Sequence, residues 1–184
     1  MSMIPRFLMG PLRPGIEALR PVLYRIAYAW CHDPALADDL AQETLSKAWA
    51  QRAQLREDAA LKGWMVAIMN HCWLDHLRSR RDFDDVDDLQ DTLESRADSP
   101  EVCCHREQVV ACVRAAVACL PQGQRQVLAL VDLEEFSYAE VAEILEIPVG
   151  TVMSRLSRAR ASLKNMLDAA AQRAAAQPLL RRVK

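Results

Sequence analysis

Aromatic side chains make up only 5% of this 184-residue chain, and glycine occurs five times. Strands draw on β-branched and aromatic residues and on glycine-rich turns, so this scarcity argues against a sheet. Alanine and leucine dominate instead, and the expected fold is all-α. No apolar run approaches the roughly 20 residues of a membrane helix. The start, MSMIPRFLMGPLRPG, carries prolines and lacks the apolar stretch of a secretory signal. A chain in the cytoplasm, without membrane insertion, is expected. None of the six cysteines forms a CxxC pair. Cys31 and Cys72 fall in helical apolar patterns, where a thiol behaves as a small hydrophobe, and reduced thiols fit that compartment. Paired carboxylates, a nucleophile triad and a glycine-rich phosphate loop are all missing, so neither catalysis nor a cofactor is expected. Cys103, Cys104 and His105 are adjacent. Neighbours on a helix point about 100° apart and converge poorly on one ion, so no metal site is assigned to them.

The net charge of −2 argues at first sight against a nucleic-acid partner. Its distribution argues otherwise. Between Asp82 and Asp98 the acids are Asp82, Asp84, Asp85, Asp87, Asp88, Asp91, Glu94 and Asp98, against Arg96 alone. From Pro148 onward the bases are Arg155, Arg158, Arg160, Lys164, Arg173, Arg181, Arg182 and Lys184, against Asp168 alone. The local field governs DNA binding more than the sum does.

Residues Glu134 to Arg160 read as helix, tight turn, helix. Ser137 can cap the first helix, with Glu140 completing a capping box. Pro148 suits the start of the second, where a missing N–H is not felt. On that second helix Val149, Val152, Leu156, Ala159, Leu163 and Leu167 recur at spacings of three and four, giving one apolar stripe. Thr151, Arg155, Arg158 and Ser162 fall on the other side. A helix held from behind, with hydroxyls and arginines in front, suits a DNA major groove.

The rest of the chain divides into further segments. Residues 1–14 form a proline-rich leader. Helices are expected over Ile16–Trp30, from Pro34 (capped by Asp33) to about Arg52, and over Leu61–Arg81. The stretch 82–100 is dense in like charge and ends in proline, the composition of a flexible acidic linker. Helices follow over Glu101–Leu120, with Val109, Val113, Val117 and Leu120 on one face, and over Gln124–Leu133. Pro121 and Gly123 are expected to break the chain between those two. The Ala-rich, then basic end extends the last helix. Two small helical domains therefore flank the linker: 15–81, and 101–168 with a basic tail at 169–184.

Three blocks, in order, resemble the extracytoplasmic-function (ECF) sigma factors of bacteria. DPALADDLAQETLSKAW (33–49) looks like the segment that grips the clamp helices of RNA polymerase. LKGWMVAIMNHCWLDHLRSRRD (61–82) looks like the promoter-melting helix. LPQGQRQVLALVDLEEFSYAEVAEILEIPVGTVMSRLSRARASL (120–163) looks like the domain that reads the −35 element. The resemblance implies core RNA polymerase (clamp helices and flap), promoter DNA and an anti-sigma factor, often membrane-tethered, as partners.

It assigns polymerase contact to Asp38, Asp39, Gln42 and Glu43. Of these, Asp39, Gln42 and Glu43 share one helix face and can meet basic groups through charge-assisted hydrogen bonds. It assigns the −10 element to Arg56, Lys62, Asn70, Arg78, Arg80 and Arg81, and the −35 element to Thr151, Ser154, Arg155 and Arg158. Trp64 and Trp73 fit the apolar stripe and are expected in the core. Arg160 and Lys164 flank the apolar face and are expected at phosphate or other protein. Two positions depart from the family pattern. Glu146 occupies a turn position usually held by glycine, and Met153 a position where a basic residue is common. The rival readings are a stand-alone helix-turn-helix regulator, which leaves the first two blocks idle, and a thiol or metal sensor.

Overall fold

The computed structural model describes residues 15–55, 60–84 and 105–176, and all regular structure among them is helical. They divide into two compact units, one built on the first three helices and the other chiefly on the last four.

In the N-terminal unit, α1 spans Arg20–Cys31 and is entered through a 3-10 turn at Glu17–Leu19. The sequence pattern places the helix start at Ile16, four residues earlier. Pro21 explains the difference: it lacks an N–H and is tolerated only in a first helical turn. α1 stops at His32, which takes a left-handed conformation (φ 55°) and donates its N–H to the Tyr28 carbonyl at 2.8 Å. α2 (Pro34–Ala50) begins as the sequence dictates. Asp33 Oδ1 accepts from the backbone N–H groups of Ala35 (2.8 Å) and Leu36 (3.2 Å), and Pro34 occupies the first turn. α3 runs from Leu61 to Asp84, three residues beyond the expected end. α2 packs against both α1 and α3. The core comprises Leu23, Ile26 and Trp30 of α1, Leu40, Ala41 and Ala48 of α2, and Met65, Met69 and Cys72 of α3.

The C-terminal unit holds α4 (His105–Ala118), α5 (Gln122–Leu128), α6 (Tyr138–Leu145) and α7 (Val149–Ala176). α7 packs on α5 and α4. Leu120, Val127, Leu130, Phe136, Val152, Leu156 and Ala159 are buried. The expected helix Gln124–Leu133 starts two residues earlier and ends in a π-helical turn, Ala129–Leu133. That wider turn leaves Leu133 61% exposed. Gly123 does not break the chain: it lies within α5 and has no positive φ. The valine face expected on α4 is not a buried one either. Val109 is 52% exposed, Val113 and Val117 are intermediate, and only Leu120 is buried. Helical spacing marks a stripe but does not say how much of it a neighbour covers.

The capping box forms. Ser137 N–H donates to Glu140 Oε2 at 2.8 Å, and Glu140 N–H donates to Ser137 Oγ at 3.3 Å. Replacing Ser137 with alanine leaves an α6 N–H without its acceptor and should destabilise the C-terminal unit by about 1 kcal/mol. Urea unfolding of the two chains side by side checks this; equal midpoints would show that the box contributes nothing. The turn between α6 and α7 has Glu146 at φ 54°, the left-handed conformation that favours glycine. Pro148 then opens α7 by accepting the N–H groups of Thr151 (2.8 Å) and Val152 (3.2 Å) on its carbonyl.

Candidate functional site

The first candidate surface lies on α2. Ala37, Leu40, Ala41, Thr44 and Ala48 form its buried stripe. Asp38, Asp39, Gln42 and Glu43 consequently face solvent, and all four are exposed. Two are already paired within the chain: Asp38 accepts from Arg20 at 2.7 Å, and Glu43 meets Lys47 at 2.8 Å. Asp39 and Gln42 have no side-chain partner among the described residues. Lys47 continues the charge line to α3, lying 3.9 Å from Asp75, which pairs with Arg78 at 3.1 Å. The hydrogen bond that Lys47 donates to the Glu43 carboxylate raises the Lys47 pKa, so the ammonium stays charged. Cys72 lies beneath, and burial pushes its thiol up, which keeps it protonated and unreactive at neutral pH. Exposed pairs of this kind contribute about 0–1 kcal/mol each. They set where the side chains point, and a basic partner can exchange with them at little cost. Lys47 is absent from the sequence-level site, although its i, i+4 spacing from Glu43 signals the pair.

The second surface is the outer side of α3. Arg78 and Arg80 are exposed and Lys62 is half-buried. Arg81 lies on the helix, but its side chain falls outside the described set, as does Arg56 altogether. Asn70 is only 2% exposed. Sequence pattern alone does not separate a polar residue inside a fold from one on its surface. Trp73 is 5% exposed and stacks on His76, with centroids 5.8 Å apart, so it belongs to the interior as expected. Trp64 is half-buried.

The third surface is the head of α7. Val152, Leu156 and Ala159 anchor it from behind, each at most 2% exposed. Arg158 is exposed, while Thr151, Ser154 and Arg155 are half-buried. Ser154 Oγ donates to the Thr151 carbonyl at 3.1 Å, which leaves its lone pairs available. Val149 does not join the apolar stripe: it is 44% exposed, and Met153, one turn on, is 54% exposed. Met153 lies about 60° off Leu156, whereas Val149 shares the angle of the stripe but is the first residue of α7. Arg160 is committed elsewhere, to a two-pronged ion pair with Asp132 in the π turn (2.6 and 3.2 Å). That carboxylate raises the Arg160 pKa and neutralises its charge locally. The pair fastens α7 to the turn after α5. Cys103 and Cys104 lie outside the described residues, and no helix among those described is long and apolar enough to cross a membrane.

Comparison with known proteins returns two family profiles in order along the chain. The one described as sigma-70 region 2 matches residues 16–83, and the one described as sigma-70, region 4 matches residues 111–163. The chain is 36% identical over 162 residues to the ECF RNA polymerase sigma factor EcfG of Rhodopseudomonas palustris, covering 87% of each chain. It is 33% identical over 159 residues to the RNA polymerase sigma-H factor of Pseudomonas aeruginosa, covering 82% of this chain and 78% of that one. Among solved structures it resembles the sigma factor RpoE, crystallised with the anti-sigma factor NepR from Bartonella quintana. The TM-score is 0.70 at 27% identity, over 85% of this chain and 96% of that one. CnrH, solved with the cytosolic domain of CnrY, shares the fold with a TM-score of 0.58 at 24% identity, over 84% of this chain and 85% of that one.

Proposed function

The chain belongs to the ECF sigma factors of the sigma-70 family, and from that premise we propose how its residues divide the work of a sigma factor. It binds bacterial core RNA polymerase, directs it to promoters and promotes melting. The exposed face of α2 (Asp38, Asp39, Gln42, Glu43) engages a basic surface of the polymerase. Lys62, Arg78, Arg80 and Arg81 on α3, with Arg56 before it, hold the −10 strands; Asn70, assigned to that element by resemblance, is only 2% exposed and is left out of the contact. Thr151, Ser154, Arg155 and Arg158 on α7 read and grip the −35 element. The observation that carries this reading is the segregation of charge: acids on α2, arginines on α3 and α7, each on a helix anchored from behind. RNA synthesis itself belongs to the polymerase, so the protein supplies binding and no catalysis of its own. It works in the cytoplasm. By analogy with the relatives solved in complex with NepR and CnrY, an anti-sigma factor restrains it by covering these surfaces.

The test is reconstitution with purified core polymerase and a randomised promoter library. Open complexes that depend on this chain are the expected result. Tight binding to duplex without core polymerase, and no melting with it, would replace the reading by a stand-alone helix-turn-helix regulator. Arg158→Ala should lower discrimination at one −35 position by about 5- to 100-fold, the range of a lost arginine–guanine contact. A uniform loss across all −35 sequences would reassign Arg158 to phosphate.

A further inference from the structure

Gly123 occupies the first turn of α5 with ordinary helical backbone and no positive φ. Alanine suits such a position better, because glycine loses more conformational freedom in a helix. The backbone therefore gives no reason for glycine here. The surroundings do. A Cβ at this position would lie 3.0 Å from both Cζ and Nη1 of Arg155 and 3.3 Å from its Nε. All three atoms belong to one guanidinium, reaching across from α7. The bare Cα of Gly123 makes the seat on which that flat group rests. Arg158, further along the same helix, is exposed.

We propose that Gly123 is a positioning residue for promoter reading. By lacking a side chain it lets the Arg155 guanidinium lie against α5, and this seat fixes the part of the −35 element that Arg155 reaches. The inference rests on the assignment of Arg155 to the −35 element. An arginine left free explores many rotamers and surrenders them on binding, whereas a seated one is organised beforehand. A methyl group at position 123 meets the far end of a flexible side chain rather than rigid backbone. Arg155 therefore moves and α5 stays.

The experiment is a double-mutant cycle in full-length protein: Gly123→Ala, Arg155→Ala and the pair, each reconstituted with core polymerase and selected on a library randomised across the −35 element. Gly123→Ala should relax selection at the same base positions as Arg155→Ala, by about fivefold or more, and should add nothing in the Arg155→Ala background. Its melting temperature should be unchanged or raised, since alanine is the better helix residue. Unaltered selection in Gly123→Ala overturns the proposal, as does an effect that persists without Arg155. A lowered melting temperature also overturns it, assigning Gly123 to packing. If Arg155→Ala itself leaves selection unchanged, the −35 assignment of Arg155 fails first, and the positioning role goes with it.

Discussion

Replacing Asp39 and Glu43 together by lysine is expected to weaken core-polymerase binding by at least about 100-fold, enough to abolish promoter-directed transcription at ordinary concentrations. Hydrogen bonds to charged groups contribute about 1.5–3 kcal/mol each. Reversing two charges removes both and sets like charges against the basic surface, which adds repulsion. Asp39 has no partner among the described residues, so its loss leaves the fold untouched. Glu43 gives up Lys47, an exposed pair worth about 0–1 kcal/mol. The variant should therefore unfold within about 1 kcal/mol of the parent. The matching neutral pair, Asp39→Asn with Glu43→Gln, should fall between the two, and its defect should shrink as salt rises. Titration of labelled protein against core polymerase measures all three. Affinity of the double-lysine protein within about threefold of the parent would exclude this face from the interface.

The second large effect concerns the interior. Trp30 is 0% exposed and heads the fully buried side chains. Trp30→Ala should cost about 3–5 kcal/mol, because transfer energy is lost and the surrounding helices close the cavity only in part. Small domains have about 5–15 kcal/mol in total, so the N-terminal unit should approach unfolding. Trp30→Phe separates the causes. The indole Nε1 is buried without a hydrogen-bond partner among the described residues, and phenylalanine removes that stranded donor while keeping a ring. Its cost should stay below about 2 kcal/mol. Urea unfolding followed by circular dichroism distinguishes the pair. A loss under about 1.5 kcal/mol for Trp30→Ala would mean that the ring is not packed as described.

Much of the molecule is written in short-range signals. Asp33 followed by Pro34, and Ser137 followed by Glu140, each place a helix start within reach of one side chain, and each forms as the spacing dictates. Glu146 stands where the family resemblance expects glycine, and its φ of 54° is left-handed. The charge map is legible for a similar reason: acids three and four positions apart on α2 must share a face wherever the helix packs. Three ordered blocks were enough to place the chain in its family.

Other features depend on what lies opposite, and periodicity is silent there. Val109 and Val149 belong to apolar patterns, yet no neighbouring helix covers them fully. Asn70, assigned to the −10 element by resemblance, is buried. Arg155 and Arg160 are alike in sequence, two basic residues on one helix, and only the tertiary structure separates them. Asp132, brought alongside by the π turn, ties up Arg160 in an ion pair. Gly123, at the start of α5, gives Arg155 a place to rest. Helix identity follows from bonds and contacts within about four residues, so the sequence alone determines it. The partner of a side chain is set by how helices distant in the chain come to lie together, which only the packed fold decides.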